Sequence, residues 1–252
     1  TDLLRHYWLH FAVTSPFEKG GKRGIFTHVQ ISPDPSLLKR GRQYNALLSN
    51  KAPLEKERHT IMDEQQLKTL LKETFDSVSS GYDNGALRFF PASAGHMAAS
   101  LGLNGDEHVL DVACGTGHAS FAVAKKLKKG RVTAVDFSPG MLDQARKKAV
   151  ALCVQNIEFL ERDMQALEFG PASFDIAVCA FGLFFVEDMD AQLSHIVSVV
   201  RPGGRLMISS FQESYLHPLK NLFFDRIETF GVLQPPQTWK RISNEAGCRQ
   251  LF

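Results

Sequence analysis

The stretch Val109-Leu110-Asp111-Val112-Ala113-Cys114-Gly115-Thr116-Gly117 decides how the rest of the chain is read. Its first four residues form a short buried strand carrying one acid, and glycines then turn the chain into a helix. A glycine turn lets a ligand approach backbone that a Cβ would shield. The helix that follows presents unpaired N–H groups and the positive end of a dipole. At the carboxyl edge of a sheet this is a natural small-molecule site. A buried strand and a helix cap without any ligand would share this local sequence, so the flanking chain must discriminate.

The bend itself narrows the choice of ligand. A dinucleotide loop uses G-x-G-x-x-G, whose third glycine lets helix and strand pack closely. Here the run is Gly115-Thr116-Gly117-His118-Ala119-Ser120, and the third glycine is missing. Asp111 also stands ahead of the first glycine, where a carboxylate repels a pyrophosphate and attracts an ammonium group.

Composition sets the bounds. With 252 residues and 44% hydrophobic content, the chain can bury one sizeable core, or a core with a small appendage. No apolar run approaches the ~20 residues of a membrane span, and the amino end lacks a basic-apolar-small targeting pattern. Cys114, Cys153, Cys179 and Cys248 show no C-x-x-C spacing, which points to reduced thiols in a cytoplasmic protein and to no zinc site. The net charge of +2 is uneven: residues 1–61 hold ten basic and five acidic residues, the remainder nineteen and twenty-two. The region with the glycine bend is therefore slightly acidic, which argues against a dedicated nucleic-acid surface.

Residues 1–61 have no sustained period and are broken at Gly20-Gly21, Pro33-Asp34-Pro35 and Gly41. They read as an irregular basic extension. Either they are extra translated sequence ahead of a domain opening near Met62, or they are an arm that holds a substrate or partner. From Asp63, Leu67, Leu70, Leu71, Phe75 and Val78 recur at helical spacing. A break follows at Ser79–Gly85, and a second helix is expected from Pro91 to Leu101. Beyond the bend, strands and helices alternate. A helix ends at Lys129-Gly130, and the strand Val132–Asp136 follows it. Ser138-Pro139 caps a helix lined by Met141, Leu142, Ala145 and Ala149. The strands Ile157–Leu160 and Phe174–Ala180, a helix from Asp188, a Pro202-Gly203-Gly204 turn and a strand Arg205–Ser210 complete the series. Repeated β–α units mean a doubly wound, mostly parallel α/β sheet with helices on both faces.

The motif D-x-A-C-G-T-G resembles motif I of the class I S-adenosylmethionine-dependent methyltransferases, and the resemblance extends over Phe75 to Phe211. It is closest to the branch that includes quinone-biosynthesis and many small-molecule methyltransferases. The resemblance implies a Rossmann-like, seven-stranded sheet whose last strand is antiparallel. It implies that Asp111, Gly115 and Gly117 hold the methionine part of the cofactor, that Asp136 binds both ribose hydroxyls, and that Ala113, Phe137 and Met141 are among the cofactor-binding residues. Asp163 would accept from the adenine amino group and Met164 would flank the ring. Ala180 and Phe181 would lie beside the methyl group, and Tyr82 would close over the cofactor. Each acid has an ordinary alternative as a helix cap or a solvated loop residue; it is their succession at strand ends that favours a site.

Two departures from the family pattern stand out. The quinone branch usually carries an Arg-Asn pair after Phe-Gly-Leu, whereas here the run is Phe181-Gly182-Leu183-Phe184-Phe185, which puts a quinone acceptor in doubt. The family's last two strands would come after Phe252, so a truncated family domain over 62–252 is expected, with strand five as an exposed edge. The expected activity is methyl transfer to an apolar or aromatic small molecule, with S-adenosylhomocysteine as product. Transfer needs alignment and exclusion of water more than a fixed triad. No catalytic residue is assigned; His96, His118, Glu213 and His217 are the candidate bases. A nicotinamide-dependent oxidoreductase and a non-catalytic cofactor-binding protein remain as rivals.

Overall fold

The computed structural model describes residues 64–215, 217–230 and 237–251, together with two short strands, Val13–Thr14 and His28–Val29. The chain divides into two compact units, Thr1–Leu70 and Leu71–Phe252. In the first, the two short strands pair antiparallel, Val13 with Val29 and Thr14 with His28. Otherwise the expectation of an irregular extension over 1–61 lies outside the described residues. The division between the units falls within helix α1, Glu64–Val78.

The second unit is built on five parallel strands: β1 His108–Val112, β2 Arg131–Asp136, β3 Ile157–Glu161, β4 Phe174–Ala180 and β5 Val200–Ser209. Their spatial order is β3-β2-β1-β4-β5. The order reverses at β1, so the crevice for a ligand opens at the carboxyl ends of β1 and β4. Helices α2 Phe89–Ser100, α3 His118–Ala124 and α4 Pro139–Ala151 precede and follow the first strands, and α5 Met189–Val199 precedes β5. Helices α6 Leu219–Glu228 and α7 Glu245–Leu251 come after β5. The doubly wound α/β class expected from the sequence is the observed one.

The central strands are apolar throughout because both faces are covered. Val109, Val132, Ile176 and Val178 pack with Ala94 and Met97 of α2, with Leu101 just past it, and with Val123 of α3. Leu110, Val112, Ala177 and Cys179 face the other way, onto Met189, Leu193 and Ile196 of α5. Asp111 alternates with Leu110 and so points to the α3 side.

Three boundaries differ from those read in the sequence. Helix α2 starts at Phe89, ahead of Pro91. Pro91 then sits within the first turn, where its missing N–H costs nothing. Helix α3 ends at Ala124 and does not run on to Lys129, because Asn156 Nδ2 donates to the carbonyls of Ala124 and Leu127 and takes over the helix end. The Arg201–Gly204 run is a bulge inside β5 rather than a turn before it. Phe174 pairs with Val200 and Ile176 with Arg205, so these residues stand opposite Asp175 alone.

Candidate functional site

At the end of β1, Asp111 is wholly buried and its Oδ2 accepts a 2.5 Å hydrogen bond from Ser120 Oγ of α3. Its Oδ1 has no hydrogen-bond partner among the described residues. Burial pushes this carboxyl up to about 7, with the Ser120 bond opposing and the nearby Asp136 charge adding to the shift. The chain leaves β1 through Ala113 in the left-handed region, φ 55°. Gly115 follows at φ 54°, and a Cβ there would meet nothing within 4 Å. Gly117, at φ 87°, starts α3, and a Cβ there would come 2.9 Å from the Phe121 ring. The first glycine thus presents bare backbone to open space, whereas the second makes room for the helix.

At the end of β2, Asp136 is buried and holds the bend from the side. Its Oδ2 accepts from the Gly115 N–H at 2.8 Å and its Oδ1 from the Ser138 N–H at 2.9 Å. Burial raises it to about 6, against those backbone bonds. Ser138 caps α4 through Met141 N–H at 3.1 Å, with Pro139 behind it, as its sequence dictates. Asp76 of α1 reaches the same cap, accepting from Ser138 Oγ at 2.5 Å and Gly140 N–H at 3.0 Å. Met141 itself is buried in the first turn of α4.

Asp163 stands just past β3, half-buried, and its Oδ1 accepts from Gln165 N–H at 2.9 Å. The neighbouring Arg162 N–H donates to the Asp136 carbonyl at 2.9 Å, tying this strand end to the previous one. Met164 packs against the core, and its carbonyl accepts from Gln192 Nε2 at 2.7 Å. At the end of β4, Phe181 adopts φ 56°. The Gly182 that follows is so close to the β1 exit that a Cβ would fall 2.8 Å from the Ala113 Cβ. Two strained residues, Ala113 and Phe181, therefore flank the crevice where β1 and β4 end, the kind of place where backbone strain accompanies function.

Aromatic rings line this region. Tyr82 stacks on Phe90 at 5.6 Å and meets Phe75 edge-on at 6.4 Å. Phe75 also meets Phe137 at 6.3 Å and Phe185 at 5.3 Å. Phe181 contacts Phe90 at 5.2 Å and Phe211 at 4.8 Å, and Phe211 stacks on Tyr215 at 4.3 Å. Burial, then the charges of Asp136 and other neighbours, makes the Tyr82 phenol hold its proton more tightly than usual.

The structure thus joins Asp111, Ala113, Gly115, Gly117, Asp136, Phe137 and Tyr82 to the rim formed by Ala180 and Phe181, with Asp163 and Met164 further along the same edge. It also brings in residues the sequence reading missed. Asp83 Oδ1 accepts from Thr116 Oγ1 at 2.6 Å and lies 2.8 Å from His118 Nε2, while Oδ2 pairs with Lys148 Nζ at 2.6 Å. Only its place beside Tyr82, in a segment read as a helix break, hinted at this. His118, a candidate base, is thereby held by Asp83. Burial, then Lys148, lowers its proton affinity, with Asp83 opposing them. His96 lies exposed on α2. Glu213 and His217 line an open depression of about 790 Å³ that shares Phe211 with the ring cluster.

Comparison with known proteins agrees with this fold. Residues 109–204 match a family model described as a methyltransferase domain. The demethylmenaquinone methyltransferase of Deinococcus radiodurans is 33% identical over 195 residues, covering 76% of this chain and 79% of the relative. This chain belongs to the class I S-adenosylmethionine-dependent methyltransferases. It sits in their quinone-biosynthesis-like branch. Another relative, aklanonic acid methyltransferase DauC of Streptomyces sp. (strain C5), is 31% identical over 151 residues, covering 59% of this chain and 68% of that one. Across further methyltransferase relatives the chain spans from about half to about four fifths of their length. The Haemonchus contortus phosphoethanolamine N-methyltransferase 1, solved with phosphoethanolamine and S-adenosylhomocysteine, superposes with a TM-score of 0.53. That match covers 60% of this chain and 34% of that one at 18% identity, a likeness of fold alone.

The family's cofactor is S-adenosylmethionine, and the residues present fit it. A cation without phosphate suits a crevice edged by two buried carboxyls, one of which has an oxygen with no partner among the described residues.

Proposed function

We propose that this chain binds S-adenosylmethionine along the carboxyl edge of its sheet and methylates an apolar or aromatic small molecule. The reading rests on two buried acids at successive strand ends, Asp111 with an oxygen that has no partner among the described residues and Asp136 holding the Gly115 N–H. Asp111 and the glycine bend take the methionine end, with Asp111 supplying the charge for its ammonium group. Asp136 takes the ribose diol. Each of its oxygens already accepts one backbone N–H and keeps a second lone pair for a hydroxyl. Phe137 and Met141 border the ribose, Asp163 and Met164 the adenine, and Ala180 and Phe181 the methyl group, while Tyr82 covers the site.

When bound, the cofactor supplies a methyl group on a sulfonium whose departure leaves a neutral thioether. The chain's part is to align an incoming nucleophile with that methyl and to keep water out. The rings of Phe89, Phe90, Phe181, Phe185, Phe211 and Tyr215 support an apolar wall for this task. They also give the missing Arg-Asn pair a physical counterpart. The turn Leu183–Phe185 fills that position with Phe184, buried against Phe211 at 5.6 Å, and the partly exposed Phe185, so aromatic rings stand there instead of a guanidinium. An acceptor with a fused aromatic body suits this wall better than one gripped by a charged group. Where the acceptor must lose a proton, Glu213 and His217 adjoin the wall.

The test pairs binding with transfer. Calorimetric titration should show S-adenosylmethionine binding and no NAD binding. Labelled methyl should then pass to naphthoquinol or anthraquinone-type acceptors and not to phosphoethanolamine. NAD binding in place of S-adenosylmethionine would overturn the cofactor assignment, and transfer to phosphoethanolamine alone would overturn the acceptor class. Among the described residues no helix is long and apolar enough to cross a membrane, and the four cysteines are free. The thiols support a cytoplasmic enzyme, which cell fractionation checks. Residues 62–252 carry the activity in this reading, so removing residues 1–61 should leave S-adenosylmethionine binding intact.

A further inference from the structure

The contacts of Asp83 go beyond those a surface carboxylate makes. Its two oxygens engage three groups, each from another part of the fold. Thr116 belongs to the glycine bend, His118 opens α3, and Lys148 lies in the last turn of α4. Lys148 also donates to the Thr116 carbonyl at 2.9 Å, so carboxylate, hydroxyl, ammonium and backbone form one closed circuit. The Thr116 side chain is buried, which makes its hydroxyl bond to Asp83 costly to lose. Burial opposes ionisation of Asp83, but the bonds from Lys148 and Thr116 and the charge of Lys148 outweigh it, so the carboxyl is held below its usual range and is ionised at neutral pH. On the other side of Asp83 is Tyr82, stacked on Phe90 and close enough to Asp136 to feel its charge. The segment 79–85 is thereby fastened across the bend by one side chain.

We propose that Asp83 is a positioning residue that latches the Tyr82 segment onto the glycine bend and so sets how long the cofactor stays bound. This inference rests on the assignment of the bend to S-adenosylmethionine. Asp83 acts through Thr116 and Lys148. By holding the Thr116 side chain and carbonyl, the circuit fixes the peptide groups on either side of Thr116 and keeps Tyr82 in place. Opening the latch frees an exit without altering the Asp136 contact.

The test follows release of S-adenosylhomocysteine from the full chain by stopped-flow competition, with thermal unfolding and amide exchange as controls. Asp83→Ala should speed release about tenfold while association stays within about twofold. Amide exchange should rise at residues 79–85 and 113–118 and not in β1 or β4. Asp83→Asn keeps an acceptor for Thr116 and loses the ion pair to Lys148, so its release rate should fall between those of wild type and Asp83→Ala. Lys148→Met should speed release by a lesser factor, and adding it to Asp83→Ala should change little further. If Asp83→Ala does not fold, Lys148→Met alone must still raise the release rate. An unchanged release rate in folded variants overturns the latch. So does a loss spread equally over association and release with a general fall in stability. If wild type fails to bind S-adenosylhomocysteine at all, the cofactor assignment fails first, and the two failures are thus distinguishable.

Discussion

Two glycine-bearing bends lie on opposite edges of the same sheet, and they use glycine for opposite reasons. Gly115 leaves β1 toward open space, with its N–H held by Asp136. Gly204 sits in the bulge of β5, where a Cβ would fall 2.6 Å from the Asp175 carbonyl and collide with the Val200 side chain. The first bend keeps backbone accessible; the second is needed so that two strands can pair at all. Both bends are flanked by charge, but Asp111 and Asp136 are buried acids at the carboxyl edge, whereas Arg201 and Asp175 form a partly exposed pair at the amino edge, 2.6 Å apart. One edge carries buried acids beside accessible backbone, and the other is shaped by strand pairing.

Substitutions should separate the two. The largest effect on stability is expected for Gly204→Ala, about 3 kcal/mol or more, because two of its three nearest neighbours are backbone carbonyls that cannot yield. Urea unfolding would read it. Gly115→Ala should cost only about 1 kcal/mol, the penalty of a left-handed alanine, while hurting cofactor affinity more than Gly204→Ala does. Equal stability losses at both sites would erase the distinction.

Next in size, Asp136→Ala should weaken S-adenosylmethionine binding by roughly 1.5–3 kcal/mol, as for loss of a charged hydrogen-bond partner. Calorimetry that finds unchanged affinity would remove Asp136 from the site.

The acids also predict a pH dependence with a definite sign. Folding raises Asp111 to about 7 and Asp136 to about 6, above their unfolded values. Between about pH 4 and those values the folded chain holds protons that the unfolded chain has released. Stability of the ligand-free protein should therefore fall as pH rises from 5 to 8, by on the order of 4 kcal/mol. Asp111→Asn should flatten that slope. Binding of a cationic cofactor favours the ionised acids, so affinity should rise over the same interval. A flat stability profile in wild type would mean that neither acid is buried as described. The smallest effect belongs to the amino edge: Arg201→Ala should change stability by less than about 1 kcal/mol, since exposed ion pairs contribute little. A greater loss would show that this pair holds the bulge.

Most of the fold could be read from the sequence, because apolar runs of strand length alternate with helical spacing and each junction carries its own turn chemistry. Ser138-Pro139 announced α4 by cap and proline, and the structure has both. What stayed hidden depends on partners distant in sequence. Gly203-Gly204 reads as a turn, and only its place opposite Asp175 makes it a bulge. Helix α3 stops early through Asn156, on another element. Around the site, the strand-end acids were legible because their type and position recur with each unit. Asp83, Thr116 and Lys148 were not, because a carboxylate in a broken helix, a threonine in a bend and a lysine in a last turn each look like ordinary surface residues until folding brings them within 3 Å of one another.

The most direct measurement is a crystal structure of the chain with S-adenosylhomocysteine. The ribose hydroxyls should lie on Asp136, the amino group near Asp111 and the glycine bend, and the sulfur beside Ala180 and Phe181. A ligand seated instead in the depression lined by Glu213, His217 and Asn244, with Asp136 untouched, would contradict the account.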